Sequence, residues 1–375
     1  MTRLDFRADV VDLLQQFIDI ESVSGDEADL ADATQHELER LEHLSVVRSG
    51  DTVIARTELG RERRVILAGH LDTVPLAARS LPSRREGGRV IGRGACDMKA
   101  GDAVFASVAV QVNDAIAAGR PPSVDVTWVF YDNEEVEDAK NGLGRIARER
   151  PELLAGDFAI LGEPSNAGIE GGCQGTLRIR VTAEGVASHS ARAWKGVNAI
   201  HRLAPVLTAL REYEPRVVTV DGLEYHEGLN AVNITGGIAT NVIPDTATVE
   251  INLRYAPDRV DADAVDVLLE QAGVVDADGR TRDGLTWEIT DHAFAARPGL
   301  DSGIAAEFLA AAGGKASAKY GWTDVARFAQ LGIPAVNFGP GDPSLAHTDD
   351  EWCPVDDVHA CRRILLDWLG GRDER

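Results

Sequence analysis

The stretch Val65-Ile66-Leu67-Ala68-Gly69-His70-Leu71-Asp72 decides the fold, because a continuous apolar run ends here in a histidine and an aspartate. An apolar run without alternation is typical of a strand that is buried on both faces, as in the sheets of α/β domains. Residues 124–131 and 158–161 repeat this form, and helical patterns such as 100–118 separate the runs. The sequence therefore predicts an α/β domain built on a largely buried sheet.

A different pattern occupies the middle of the chain. Leu177, Ile179 and Val181 alternate with polar residues, as in a strand with one solvent-exposed face. Alternating strands and two helical patterns then follow in the order β-α-β-β-α-β, which is typical of a small two-layer, ferredoxin-like unit. We therefore predict a discontinuous α/β domain, residues 1–174 and 293–375, interrupted by an insert, residues 175–292.

Composition and charge exclude several classes of function. The 375 residues carry 61 acidic and 38 basic side chains, which give a formal net charge of −23. Such a surface repels phosphate backbones and anionic lipids, so we expect no nucleic-acid partner and no membrane partner. The first residues lack the apolar core of a signal peptide. Four widely separated cysteines form no C-x-x-C pair, which favours a reducing cytoplasm.

Histidines and acids follow the ends of the predicted buried strands. A histidine and an aspartate follow the first strand, an Asp-Asn-Glu-Glu run follows the second, and a glutamate follows the third. Ligands of open α/β sheets bind at the carboxyl ends of the strands, so these side chains are expected to face one crevice. A glycine-rich turn and an Ala-His-Thr-Asp run near the C-terminus supply two more candidates. The candidate site residues are His70, Asp72, Asp97, Glu134, Glu135, Glu163 and His347.

This donor set favours a pair of metal ions. Two histidines with several carboxylates suit zinc or cobalt, whereas an all-oxygen set would suit magnesium. Two such ions need about three ligands each, so one carboxylate must bridge them. Asp72 lies on the same face as His70 in an extended segment, so its carboxylate can hold the second imidazole nitrogen. Each residue alone is more commonly structural than catalytic, but their placement at successive strand ends favours a metal site.

Five motifs contain the candidate metal ligands and their neighbours: 69–75 (GHLDTVP), 92–101 (GRGACDMKAG), 134–135 (EE), 162–164 (GEP) and 346–348 (AHT). Together they resemble the M20 metallopeptidase and deacylase family, and the resemblance covers essentially the whole chain. It implies a two-zinc, exopeptidase-like catalytic domain with a mostly buried mixed sheet, interrupted by a ferredoxin-like α+β dimerisation domain. It also implies a homodimer formed through the insert, two Zn²⁺ per subunit with Co²⁺ as a possible substitute, and a small-molecule N-acyl amino-acid substrate.

The resemblance implies two metal sites that share one residue. His70, Asp97 and Glu163 are expected to form one zinc site. Asp97, Glu135 and His347 are expected to form the other, so that Asp97 bridges the two ions.

Other residues resemble catalytic and substrate-contacting positions of the family. Asp72 is expected to orient His70, and Glu134 to take a proton from the attacking water and pass it to the leaving amine. His189 resembles the histidine that reaches the opposite subunit's site and hydrogen-bonds the developing oxyanion. The expected substrate contacts are Asn241, Arg254 and Thr323.

Within the family, four further runs resemble members that hydrolyse N-succinyl-LL-2,6-diaminopimelate to succinate and LL-2,6-diaminopimelate. Acetylornithine deacetylase, aminoacylase and carboxypeptidase activities are the alternatives. Many members with the first activity carry Arg-Arg-Gly where this chain has Cys173-Gln174-Gly175, so recognition of the succinyl carboxylate stays open. A metal-dependent binding protein without activity is the alternative from another class, and an unligated Glu134 argues against it. The runs are 142–145 (GLGR), 171–176 (GGCQGT), 319–324 (KYGWTD) and 337–343 (NFGPGDP).

Overall fold

The computed structural model describes residues 4–77, 81–259, 261–301 and 303–370. Among the described helices, none has both the length and the apolar character required to cross a membrane. The α-helices are Val10–Asp19 (α1), Ala28–Glu39 (α2), Lys99–Ala117 (α3), Gly142–Glu149 (α4), Ala199–Arg202 (α5), Ala204–Glu212 (α6), Asp261–Gln271 (α7), Gly303–Ala311 (α8), Val325–Gln330 (α9) and Val355–Leu369 (α10).

The strands of the described residues form one eight-stranded sheet, one four-stranded sheet, one three-stranded sheet and two two-stranded sheets. They are Ser45–Ser49 (β1), Thr52–Arg56 (β2), Arg64–His70 (β3), Arg84–Glu86 (β4), Arg89–Ile91 (β5), Asp125–Tyr131 (β6), Phe158–Leu161 (β7), Ile169–Gly171 (β8), Gly175–Glu184 (β9), Ser188–His189 (β10), Val217–Val220 (β11), Leu223–His226 (β12), Gly228–Gly236 (β13), Val242–Ile243 (β14), Thr246–Tyr255 (β15), Leu285–Ala293 (β16), Ala316–Ala318 (β17), Ala335–Asn337 (β18) and Trp352–Pro354 (β19).

The chain divides into two compact units. The domain bounds expected from the sequence stay a prediction. The sequence pattern does not indicate that residues 318–323 belong to the same unit as the insert. The first unit comprises the described residues of Met1–Gly171, Pro298–Ser317 and Asp324–Arg375, and the second those of Gly172–Arg297 and Ala318–Thr323.

The first unit is built on an eight-stranded sheet with the order β1-β2-β6-β3-β7-β18-β8-β17. Strands β6, β3, β7 and β18 run parallel, whereas β1, β2 and β8 pair antiparallel to their neighbours. The continuous apolar runs form β6, β3 and β7, and β6 and β7 are buried along their whole length. The predicted α/β fold with a mostly buried mixed sheet is therefore confirmed. The carboxyl ends of these three strands lie side by side, since His70 pairs in register with Tyr131 and Ala68 with Leu161.

Helix α3 brings the glycine-rich turn to this end of the sheet. The helix is buried along most of its length and packs against α1, α10 and β3. Its first turn approaches the chain after β7 so closely that a Cβ on Gly101 would lie 2.2 Å from the carbonyl oxygen of Gly162. The glycine at position 101 therefore permits a close contact between α3 and the chain after β7. This contact places Asp97, which precedes α3, beside Glu163, which follows β7.

The second unit contains a four-stranded antiparallel sheet with the order β13-β15-β9-β16. Together with helices α5, α6 and α7 the strands follow each other as β-α-β-β-α-β, and the first strand lies between the third and the fourth. This is the arrangement of the predicted ferredoxin-like unit. Leu177, Ile179 and Val181 are buried in a core of this unit's own, as their alternation predicts. Strand β13 lies at one edge and is exposed from Asn230 to Gly236.

Candidate metal centre

The loops after three parallel strands carry most of the candidate ligands. His70 is the last residue of β3, and Glu134 and Glu135 lie in the loop that follows β6. Glu163 lies two residues beyond the end of β7. Because the three strands are adjacent and parallel, their carboxyl ends meet at one edge of the sheet, which is where an open α/β sheet binds its ligand.

Asp97 lies between the two histidines. Its Oδ1 is 3.2 Å from Nε2 of His70, and its Oδ2 is 3.2 Å from Nε2 of His347. A carboxylate whose two oxygens face different imidazoles has the geometry of a ligand that bridges two ions.

The remaining acids complete two groups that share Asp97. Nε2 of His70 is 4.0 Å from Oε1 of Glu163, and Nε2 of His347 is 2.9 Å from Oε1 of Glu135. In each group the possible ligand atoms lie within 4.8 Å of one another, so each could hold a metal ion. His70, Glu134 and Glu135 form a third group, whose possible ligand atoms also lie within this distance of one another.

The charges of the centre favour a cation between the acids and the histidines. Burial raises the pKa of Asp97, but hydrogen bonds from His347 and His70 outweigh this and hold that pKa below its usual range. Hydrogen bonds to Asp97 and Glu135 raise the pKa of His347 to about 10. Nitrogen and oxygen donors in this proportion suit zinc or cobalt, and buried acids so close together need positive charge among them. The residues present therefore fit a two-metal centre.

Glu134 is a half-buried acid beside the two groups that share Asp97. Burial raises its pKa well above the usual value, and the nearby acids Glu163 and Asp324 add to the rise against the opposing charge of His70. A carboxyl group with a raised pKa holds a proton more readily than an ordinary carboxyl group does, which suits general acid–base chemistry.

Asp72 organises the loop that carries the glutamates. Its carboxylate accepts the backbone N–H of Glu134 at 2.9 Å and that of Glu135 at 3.0 Å, and also the hydroxyl of Ser24. Nδ1 of His70 lies 3.0 Å from the backbone carbonyl of Asp72 and 3.5 Å from its carboxylate. The nearer acceptor for the imidazole is thus the carbonyl, while the carboxylate holds the loop.

Several residues that support the centre carry no signal in the sequence. Asn133 and His347 have left-handed backbones, with φ of 59° and 64°, which few residues other than glycine adopt. The buried carboxylate of Glu27 accepts the backbone N–H of Asn133, and the buried Glu351 accepts that of Asp97. Strained backbone held by surrounding contacts is common at functional sites. Both acids stand in loops without periodicity, so only the tertiary contacts reveal them.

The other predicted site residues belong to the second unit. His189 is exposed in β10, which pairs with β14, and Asn241 accepts the backbone N–H of Ser190 through its carbonyl. Nδ1 of His189 accepts the backbone N–H of Ala191 at 3.0 Å, which assigns the ring proton to Nε2.

Arg254 and Thr323 complete this set. Arg254 is half-buried on β15, opposite Thr176 of β9. Burial and the charge of Arg178 lower the pKa of its guanidinium, and within the described chain it has no ion-pair partner. Thr323 is buried, and its backbone carbonyl lies 3.7 Å from Sγ of Cys173.

Residues 66–370 match the sequence pattern of Peptidase family M20/M25/M40. The succinyl-diaminopimelate desuccinylase of Corynebacterium glutamicum is 45% identical over 369 residues, which cover 98% of this chain and 97% of that protein. The DapE protein of Mycobacterium tuberculosis (strain ATCC 25618 / H37Rv) is 50% identical over 371 residues, which cover 98% of this chain and 100% of that protein.

Solved structures share the fold at low sequence identity. Aminopeptidase PepT of Bacillus cereus superposes with a TM-score of 0.78 at 15% identity, over 96% of this chain and 97% of that one. The YXEP protein of Bacillus subtilis, a dinuclear metal binding peptidase, superposes with a TM-score of 0.69 at 15% identity, over 97% of each chain.

Proposed function

The chain belongs to Peptidase family M20/M25/M40, and from that premise we propose that it hydrolyses the amide bond of N-succinyl-LL-2,6-diaminopimelate to give succinate and LL-2,6-diaminopimelate. The observation that carries amide hydrolysis is the position of Asp97, whose two oxygens face two histidines, together with Glu134, an acid that belongs to neither of the two groups that share Asp97. The choice of substrate rests on the Corynebacterium glutamicum relative, because it is 45% identical along almost the whole chain.

We propose two Zn²⁺ ions per subunit, with Co²⁺ able to replace them. His70, Asp97 and Glu163 would hold one ion, and Asp97, Glu135 and His347 the other. When bound, the ions would polarise the scissile carbonyl and lower the pKa of the attacking water.

Glu134 is proposed to move the proton in this reaction. Its carboxylate accepts a proton from the attacking water and then donates it to the leaving amine. Its raised pKa supports both roles, because the group must hold the proton between the two steps. The bond from its backbone N–H to Asp72 keeps the side chain on the sheet edge while the proton moves.

His189 is proposed to donate a hydrogen bond to the developing oxyanion in the partner subunit. Its Nδ1 is occupied by the N–H of Ala191, so the Nε2–H is left to act as the donor. The side chain is exposed, and a role in another subunit's site would explain why its polar edge is presented to solvent.

A homodimer through the second unit is supported by its exposed edge. Val232 and Ile234 of β13 are 55% and 51% exposed, and Ile238 in the loop beyond is 89% exposed. An apolar edge strand is a surface that proteins cover, because its free backbone groups pair readily with another chain. A second copy of the same strand would cover it by a symmetric, antiparallel contact.

Arg254 is proposed to bind a carboxylate of the substrate. Desolvation of a guanidinium that forms no ion pair with the described residues is costly, and an anion would offset this cost through a bidentate pair. Gln174 is buried and donates one amide N–H to the carbonyl of His226 at 2.6 Å, and Cys173 is fully buried, so we assign the succinyl carboxylate to neither of them. Asn241 and Thr323 are proposed as further substrate contacts.

The reaction is proposed to take place in the cytoplasm. All four cysteines are buried and none of them forms a disulfide, as expected in a reducing compartment.

A side-by-side assay tests the function. The chelator-treated protein is supplied with Zn²⁺ or Co²⁺, and the release of primary amine from N-succinyl-LL-2,6-diaminopimelate is compared with that from N-acetylornithine. We expect the succinyl compound to react much faster, and only with metal. Faster hydrolysis of N-acetylornithine would contradict the substrate assignment.

A further inference from the structure

Glu351 is a buried acid, 2% exposed, that ties down the turn before Asp97. Its Oε1 accepts the backbone N–H of Cys96 at 2.9 Å and that of Asp97 at 3.1 Å. Its Oε2 accepts the backbone N–H of Gly94 at 3.0 Å, and Gly94 has a left-handed φ of 77°. Three backbone donors of one short turn thus converge on a single carboxylate.

Arg93 links this carboxylate to the segment that carries His347. Its Nη1 donates to Oε2 of Glu351 at 3.1 Å and to the backbone carbonyl of Thr348 at 2.9 Å. Thr348 directly follows His347 in the chain. Both charged side chains are buried, so the pair is held without competition from water.

Local strand pairing places the two segments side by side. Strand β19 pairs antiparallel with β5, so the residue before β19, Glu351, lies opposite the residue after β5, Gly92. The backbone N–H of Gly92 donates to the carbonyl of Glu351 at 3.1 Å. The side-chain contacts of Arg93 and Glu351 therefore extend a pairing that the backbone has already begun.

The two groups of the metal centre receive different support. His70 is fully buried in a strand that is paired on both sides, so the sheet itself fixes its position. The side chain of His347 is 53% exposed and its backbone is left-handed, so neither burial nor a regular element holds it. Its distance from Asp97 depends on what joins their two segments, and Glu351 with Arg93 joins them beyond the pairing of β19 with β5.

We infer that Glu351 and Arg93 are positioning residues that set the spacing between Asp97 and His347, and so the affinity of the metal group that contains both. This inference rests on the two-metal centre of the proposed function. In Glu351→Gln only one accepting oxygen would remain, so an amide N–H₂ would face either the donors of Gly94 and Arg93 or those of Cys96 and Asp97. Either orientation loses part of the contact that joins the turn to the segment of His347. The group with Glu135 and His347 should then weaken more than the group with His70 and Glu163.

Stepwise titration of the metal-free protein with Co²⁺, followed by visible absorption and calorimetry, tests the inference without substrate. In Glu351→Gln the dissociation constant of the weaker step should rise about 10–100-fold relative to that of the tighter step. Hydrogen exchange of the amides in residues 94–97 of the metal-free variant should also become faster.

Glu227→Gln is the matched control. Glu227 is equally buried and accepts the backbone N–H of Ala256 and the guanidinium of Arg259, but it belongs to the second unit. Its replacement should lower the unfolding temperature and leave the ratio of the two Co²⁺ constants as in the wild type. If Glu351→Gln leaves this ratio unchanged as well, the positioning role is wrong.

Arg93→Met keeps the test decisive if Glu351→Gln does not fold. It removes the bond to Thr348 and retains the three backbone bonds of Glu351, so the same ratio should change in the same direction. A wild type that binds two Co²⁺ but does not hydrolyse the succinyl substrate contradicts the proposed function alone. A wild type that binds only one Co²⁺ overturns both.

Discussion

The two groups of the metal centre, on the sheet side and on the loop side, contain the same types of ligand but are held by different parts of the fold. On the sheet side, His70 ends a buried strand and Glu163 follows the strand beside it. On the loop side, His347 has an exposed side chain, and the segment after it is tied to the turn of Asp97 by Arg93 and Glu351. Imidazole and carboxylate are found on both sides, so the difference lies in how rigidly they are held. A protein can thus build a two-metal centre from one group that the fold fixes and one that depends on a few contacts.

Glu134→Gln should have the largest effect on activity, although it changes no residue of the two proposed metal groups. Glu134 is proposed to move protons rather than to bind an ion, so kcat should fall by about 10²–10⁴-fold while both ions still bind. Steady-state kinetics together with metal analysis of the same preparation check this. Loss of one ion with the activity would instead assign Glu134 to the third group of possible ligands, with His70 and Glu135.

Gly101→Ala should disrupt the sheet side. The new Cβ would lie 2.2 Å from the carbonyl of Gly162, which is backbone and cannot turn away, so α3 must shift from the chain that carries Glu163. We expect the free energy of unfolding to fall by about 1–3 kcal/mol, as measured by urea denaturation.

Gly303→Ala is the control for this substitution. A Cβ on Gly303, at the start of α8, meets no atom within 4 Å, so stability should change little. Equal effects of the two substitutions would contradict the close approach of α3 to the strand.

His347→Ala and His70→Ala compare the sides directly. Each variant should retain one ion, held by the group that keeps its histidine. Because the sheet fixes the group with His70 and Glu163, the remaining Co²⁺ should bind roughly tenfold more tightly in His347→Ala than in His70→Ala. Co²⁺ titration measures both constants, and the reverse order would show that the loop side is the more rigid.

Substitution of Asp125 should have the smallest effect. Asp125 lies at the opposite end of β6 from the metal centre. Burial raises the pKa of Asp125, but hydrogen bonds from the Thr57 hydroxyl and from the backbone N–H groups of Leu59 and Arg61 outweigh it and hold this pKa below its usual value. Because the folded pKa is lower than the unfolded pKa of about 3.9, the stabilisation is complete above the unfolded value. It is lost as the pH falls through the folded pKa.

Urea denaturation of the wild type and Asp125→Asn checks this dependence on pH. The difference in unfolding free energy should be largest well above the unfolded pKa and should shrink as the pH falls below it. A difference that does not vary with pH would contradict the role of the carboxylate. The ratio of the two Co²⁺ constants should stay the same, since Asp125 lies away from both groups.

The sheet and its strand ends could be predicted because their signals are local. Continuous apolar runs predicted β3, β6 and β7, and the change to alternation at Leu177 predicted the second unit. Parallel strands bring their carboxyl ends together, so the approach of His70, Glu135 and Glu163 also followed from the pattern. The roles of these residues as ligands stay a prediction.

The contacts that hold the centre could not be predicted, because they join residues that are far apart in sequence. The carboxylate of Glu351 reaches a turn more than 250 residues earlier, and no periodicity marks it. The role of the Asp72 carboxylate, 3.5 Å from Nδ1 of His70, stays a prediction, but no pattern indicated that the backbone carbonyl of Asp72 would lie nearer, at 3.0 Å. Which oxygen of a residue is used depends on the packed loops around it, and the sequence contains no local signal for that choice.

The rate of N-succinyl-LL-2,6-diaminopimelate hydrolysis, measured as Zn²⁺ is added in equivalents to the chelator-treated protein, tests the central claim most directly. A two-metal amide hydrolase with unequal groups predicts little activity after the first equivalent and most of the activity after the second. Full activity without metal, or no hydrolysis with two equivalents bound, would contradict it.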